Sequence, residues 1–210
     1  MRIETETASG GAVSPDVAAK SKPKGIAVLG SHPKTVRQAP FDDDWLIYAC
    51  SPDNTPHGHS AHRSQLPRLD LWFEVHVPVF DRSRPYEYLE WLKNTPNVYM
   101  RDRYAFGLRT EAGEPLFPTA ILYPEDEMKG IFGPFTFTSS IAFILAKAIV
   151  DCEQRGIPTI GLWGIMQSSE NEYAYQRPGI QNLIWEACRR GINVTAPDVS
   201  KLFEPQPEGF

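Results

Sequence analysis

Apolar residues along this chain fall into short dense runs and one long one, separated by stretches rich in Pro, Gly, Ser and Asp. Gly25–Gly30 (GIAVLG), Trp45–Cys50 (WLIYAC), Leu69–His76 (LDLWFEVH), Asn97–Arg101 (NVYMR) and Thr159–Gly164 each predict a strand. Thr119–Tyr123 and Gly191–Val194 predict two shorter ones. Most of these runs are apolar at consecutive positions, the mark of strands covered on both faces. Tyr86–Lys93 and Tyr173–Arg190 predict helices, Pro124–Gly130 a charged helical turn, and Tyr104–Phe117 a loop or small hairpin. The long run, Ser139–Arg155, predicts a helix with Ile141–Val150 buried. Thr138 or Ser139 caps it and Gly156-Ile157-Pro158 stops it. Strands that alternate with helices predict an α/β fold, a Rossmann-like three-layer sandwich with a mainly parallel sheet.

The pattern also sets boundaries. Residues 1–24 lack a hydrophobic period and read as a flexible tail; residues 25–203 read as a single domain; residues 204–210, rich in Pro and Glu, read as a peripheral tail. The 210 residues suffice for one buried core. The 21 basic and 26 acidic residues give a net charge of −5, so no general nucleic-acid face is expected. The pairs Arg101/Arg103 and Arg189/Arg190 read as solvated surface. Cys50, Cys152 and Cys188 lack metal-ligand spacing and are odd in number, which argues for buried free thiols rather than a disulfide framework. No apolar run is long enough for a membrane span, and a cytoplasmic protein is expected (the host cytoplasm if phage-encoded).

Candidate chemistry gathers where strands end and helices begin, the usual place for ligands in open α/β sheets. Gly30, Ser31 and His32 follow the first strand as a phosphate-facing loop, with Ser31 able to cap the helix and Pro33 in its first turn. Ser51 and Asp53, in a Pro/Asp/Asn turn after the second strand, can meet a ribose. Glu74 and His76 close the third strand two residues apart, and so can serve as orienter and base. Thr136, Thr138, Ser139 and Ser140 offer more hydroxyls than one cap needs, ahead of the most apolar helix. Glu170, Glu172, Tyr173, Tyr175, Gln176 and Arg177 supply carboxylates, stacking rings and a phosphate-pairing guanidinium. His57, His59 and His62 share a loop without the spacing of a zinc site, so no metal is expected. No cofactor is named by any motif: the first glycine loop is neither a dinucleotide fingerprint nor a Walker A loop.

The succession GIAVLGSHP, IYACSPDN, DLWFEVH, FTSSIAFILAKAI and IGLWGIMQSSENEYAYQRPG is similar to a group of uncharacterised phage and prophage proteins. Through them it resembles the Rossmann-like superfamily of archaeal-type pterin pyrophosphokinases and bacterial CMP-sialic acid transferases. The resemblance runs from about Gly25 to Pro197. It implies that Gly30, Ser31, Thr138, Ser139 and Ser140 face a nucleotide. The superfamily's strand-end acid is Met166 here, and no histidine follows His76. The expectation is a protein that binds a nucleotide or nucleotide sugar and acts as a transferase, with His76, Glu170 and Glu172 as reactive groups. The alternatives are a non-catalytic binder that sequesters a nucleotide metabolite, and a structural phage protein. A homo-oligomer or a phage or host protein partner fits either one.

Overall fold

A computed structural model of the chain describes residues 22–50, 66–79, 86–166 and 172–204. Among the described residues seven strands form one parallel sheet. They are β1 (Gly25–Leu29), β2 (Trp45–Cys50), β3 (Leu71–Glu74), β4 (Val98–Met100), β5 (Ala120–Leu122), β6 (Thr159–Trp163) and β7 (Asn193–Thr195). Their spatial order is β5-β4-β3-β2-β1-β6-β7. The helices are α1 (Pro33–Val36), α2 (Tyr86–Asn94), α3 (Glu125–Phe132), α4 (Ser140–Arg155) and α5 (Glu172–Arg189). Arg103–Gly107, Pro134–Thr136 and Lys201–Phe203 are short 3-10 turns. The aperiodic stretch after Arg103 closes as a single antiparallel bridge, Arg109 to Pro115.

The continuous apolar runs are explained by burial on two sides. Ile26 and Val28 of β1 face one core with α4 and α5, while Ala27 and Leu29 face a second core with α1 and α2. Helix α4 lies within the first core. Ile141–Ala146 and Ala148–Cys152 are all buried, and each large aliphatic side chain so removed from water contributes about 1.5–3 kcal/mol. Ser139 is the cap: its hydroxyl accepts from the Ala142 N–H. Gly156 ends the helix at φ 64°, the left-handed conformation that glycine adopts without strain. The polar breaks in α4 are matched as well. Asp151 is ion-paired with Lys147 and accepts from the Tyr48 hydroxyl at 2.7 Å, and burial pushes the Tyr48 phenol well up.

Two local expectations are corrected. His32, not Ser31, is the N-cap of α1, because Pro33 already occupies the first helical position. Cys188 is exposed on the outer side of α5, while Cys50 and Cys152 are buried. Among the described residues no helix is long and apolar enough to cross a membrane.

Candidate functional site

The chain lays down β1 to β5 in one direction, then returns through α4 to place β6 on the other side of β1. The strand order therefore reverses between β1 and β6, where a crevice normally opens past the strand ends. Here the two backbones close on each other. Gly30 N–H donates to the Trp163 carbonyl at 2.8 Å, His32 N–H to the Gly164 carbonyl at 2.9 Å, and Gly164 N–H to Thr35 Oγ1 at 2.8 Å. A Cβ on Gly30 would lie 2.4 Å from the Gly164 carbonyl oxygen, which is why both positions need glycine. The loop Gly30–His32 thus has two of its N–H groups engaged by β6 and its neighbour. Ser31 is exposed, and His32 Nδ1 is buried without a hydrogen-bond partner among the described residues. Partial burial, then the nearby Lys34 charge, lower the His32 pKa.

An open cleft of about 390 Å³ lies further along the same rim, past the ends of β3 and β4. It is lined by Val75–Pro78 and Arg101, which follow β3 and β4, and by a wall of Phe137–Ser140, Phe143 and Gln176. Helix α4 begins in that wall, so its N-terminal N–H groups and positive dipole end are close to the cleft. The hydroxyls ahead of α4 divide their tasks. Thr136 is buried and donates to the Phe132 carbonyl, Thr138 donates to the Gln176 carbonyl at 3.2 Å, and Ser139 caps. The Ser140 hydroxyl has no hydrogen bond among the described residues, so it is the surplus that the sequence suggested.

His76 is held at the cleft by a buried relay. Its Nδ1 lies 2.9 Å from Glu74 Oε1, which also accepts from the His76 N–H at 3.0 Å. Glu74 Oε2 accepts from the Tyr88 hydroxyl, and that hydroxyl accepts from Trp72 Nε1 at 3.1 Å. The directions follow from chemistry. An indole N–H only donates, so the Tyr88 oxygen accepts from it and directs its own proton to Glu74. A backbone N–H only donates as well, so Glu74 is an acceptor on both oxygens, as an ionised carboxylate is. In the neutral imidazole Nδ1 beside that acceptor carries the proton, and the lone pair is on Nε2. Glu74 and Trp72 are fully buried. The sequence placed Glu74 and His76 together; it missed Tyr88, which arrives on α2.

Arg101 was also missed, read as solvated surface. It follows β4 directly, and Glu74 pairs with Met100 in the register, so Arg101 falls on the rim beside Val75. Its guanidinium gives Nε to Glu125 Oε2 at 2.6 Å and Nη2 to Glu125 Oε1 at 2.9 Å, over the Phe143 ring at 5.1 Å. Lys129 joins the same carboxylate at 2.5 Å. The Arg101 hydrogen bonds, with help from Lys129, hold the Glu125 pKa down at about 2.

The other expected residues are dispersed. Gly30, Ser31 and His32 stand past β1, two strands from β3, and the cleft lining does not include them. Ser51, Asp53 and Glu170 lie outside the described residues, as do His57, His59 and His62. Glu172 and Tyr173 open α5; Tyr175 is exposed beside Gln176. Arg177 is buried and donates to the Glu204 carbonyl, so it ties α5 to the segment after the last 3-10 turn rather than lining the cleft. No group of three His, Cys, Asp or Glu able to hold a metal occurs among the described residues. Comparison of this chain with protein-family models, curated proteins and solved structures finds no match.

Proposed function

We propose that this chain binds a phosphorylated small molecule, a nucleotide or nucleotide sugar, in the cleft between the β3–β4 rim and the start of α4, and that His76 acts there as the general base of a transfer reaction. The observation that carries this is the His76–Glu74 pair at the cleft. A buried carboxylate orients the imidazole, which in its neutral form offers Nε2 as base, in a cleft that a helix N-terminus suited to anions also lines. In the reaction, Nε2 takes the proton of an acceptor hydroxyl. The acceptor oxygen then bonds to the electrophilic phosphorus or sugar carbon, and the bond to the leaving phosphate breaks with its electron pair on that phosphate. Glu74 stabilises the imidazolium that forms. Glu170 and Glu172, the acids expected from the sequence, are alternatives to this base.

Two features favour a second reading, a binder that holds its ligand without turnover: Met166 stands where the superfamily it resembles carries an acid, and no histidine follows His76. Incubation with a panel of nucleoside phosphates and nucleotide sugars, followed by mass spectrometry of retained and released ligand, separates the readings. Turnover in the wild type, lost in His76→Gln with ligand still retained, supports the transferase. Intact retention without turnover supports the binder. No retention of any member of the panel removes both.

A further inference from the structure

The cleft holds a second feature that the dyad does not explain: one carboxylate, Glu125, is shared by two cations, Arg101 and Lys129. A strand-to-helix tie needs one of them. The surplus positive charge sits at the cleft wall, because Arg101 lines it and Arg101 is still partly exposed. Glu125 stays ionised at neutral pH, so the fork through Nε and Nη2 is charge-assisted. The guanidinium carbon also lies over the Phe143 ring, 5.1 Å from its centroid. Among the described residues Nη1 has no hydrogen-bond partner, and its two N–H groups, with the second N–H of Nη2, are the donors that the fork leaves over.

We infer that Arg101 is the anion anchor of this cleft, presenting Nη1 in a preset direction to a phosphate oxygen of the ligand. The inference rests on the proposed ligand class and adds to it the residue that selects for the phosphate. Fixing the guanidinium before binding removes the ordering cost that a free arginine would bear. The anchor works with α4: a phosphate between Arg101 and the Ser140 end of the helix meets charge from one side and N–H groups and a hydroxyl from the other. The part of the ligand beyond the phosphate then extends along Val75–Pro78 toward His76.

The test uses the full chain and inorganic pyrophosphate as probe, titrated by calorimetry at low ionic strength, with thermal unfolding recorded for each variant. Arg101→Gln should weaken binding about ten- to a hundred-fold, the effect of removing one charge-assisted hydrogen bond. Arg101→Lys keeps the charge and a bond to Glu125 but not the fork, and should recover less than half of that loss on a logarithmic scale. Arg103→Gln removes an equal charge from an exposed pair with Asp126 and should leave binding unchanged. Wild-type binding retained in a folded Arg101→Gln overturns the anchor and leaves the ligand class standing. Equal losses in Arg101→Gln and Arg103→Gln overturn it as well, since a general field would then be at work. A wild type that binds neither pyrophosphate nor any nucleoside phosphate overturns the anchor together with the ligand class.

Discussion

Replacing Tyr88 by Phe removes one hydroxyl and tests the relay behind His76. That hydroxyl accepts from Trp72 Nε1 at 3.1 Å and donates to Glu74 Oε2. Trp72 and Glu74 are fully buried and Tyr88 nearly so, so solvent does not replace what is lost. Taking an acceptor from a buried indole N–H costs about 1–3 kcal/mol, and taking a donor from a buried carboxylate costs about 1.5–3 kcal/mol. Relaxation recovers part of this, which leaves an expected destabilisation of about 2–5 kcal/mol. Against the roughly 5–15 kcal/mol of an ordinary domain, that is a large fraction. Urea unfolding should show the midpoint falling with an unchanged slope. Tyr104→Phe, at an 85% exposed tyrosine, is the control and should stay within about 0.5 kcal/mol of wild type. A Tyr88→Phe loss below about 1 kcal/mol, at constant slope, would show that the hydroxyl does not support Glu74. The ionised carboxylate and the assigned proton on His76 Nδ1 would then lose their basis.

Three further outcomes follow from the geometry. The Glu125 carboxyl is depressed to about 2 in the folded chain from an ordinary 4.5, so its pairing stabilises the fold above pH 4.5 and is lost as pH falls toward 2. Acid titration of Arg101→Gln by circular dichroism should show a shallower loss over that window, and a profile parallel to wild type would contradict the pairing. Burial pushes the Cys50 and Cys152 thiols up to about 12, whereas Cys188 is exposed. Native protein should therefore release one equivalent of chromophore from a disulfide reagent at pH 8 and three after unfolding; rapid release of a second native equivalent would place one of the buried thiols at the surface. Gly164→Ala forces a Cβ to 2.3 Å from the Gly30 carbonyl oxygen at a φ of 70°, and should cost at least about 2 kcal/mol by urea unfolding. A neutral result would mean that the β1 and β6 loops are not closed on each other.

The strands were legible because burial on both faces leaves no polar alternation, as in GIAVL and WLIYAC. Helix α4 was legible because its cap, its apolar run and its glycine stop are all local features. Glu74 and His76 were legible as a pair from their two-residue spacing at a strand end. Tyr88 was not, because its meeting with Glu74 depends on how α2 lies against the sheet, fourteen positions along the chain. Arg101 looked like surface in its charged setting, since only the β3–β4 register places it on the cleft. Arg177 looked like a ligand contact, being in a polar stretch, and its burial follows from the late segment that packs on α5. The closed approach of Gly30 and Gly164 joins two turns that sequence treats separately.

Amide chemical-shift mapping of the full chain, titrated with the nucleoside phosphates of the panel, shows whether the ligand enters the cleft past β3 and β4. Saturable shifts are expected at His76, Arg101, Thr138–Ser140 and Gln176, the lining of the cleft past β3 and β4. No comparable shifts are expected in the hollow before the starts of β3 and β4, lined by Leu66, Asp70, Trp91 and Asn97. Saturable shifts centred on that hollow, or no saturable shift with any nucleoside phosphate, would contradict the proposed site.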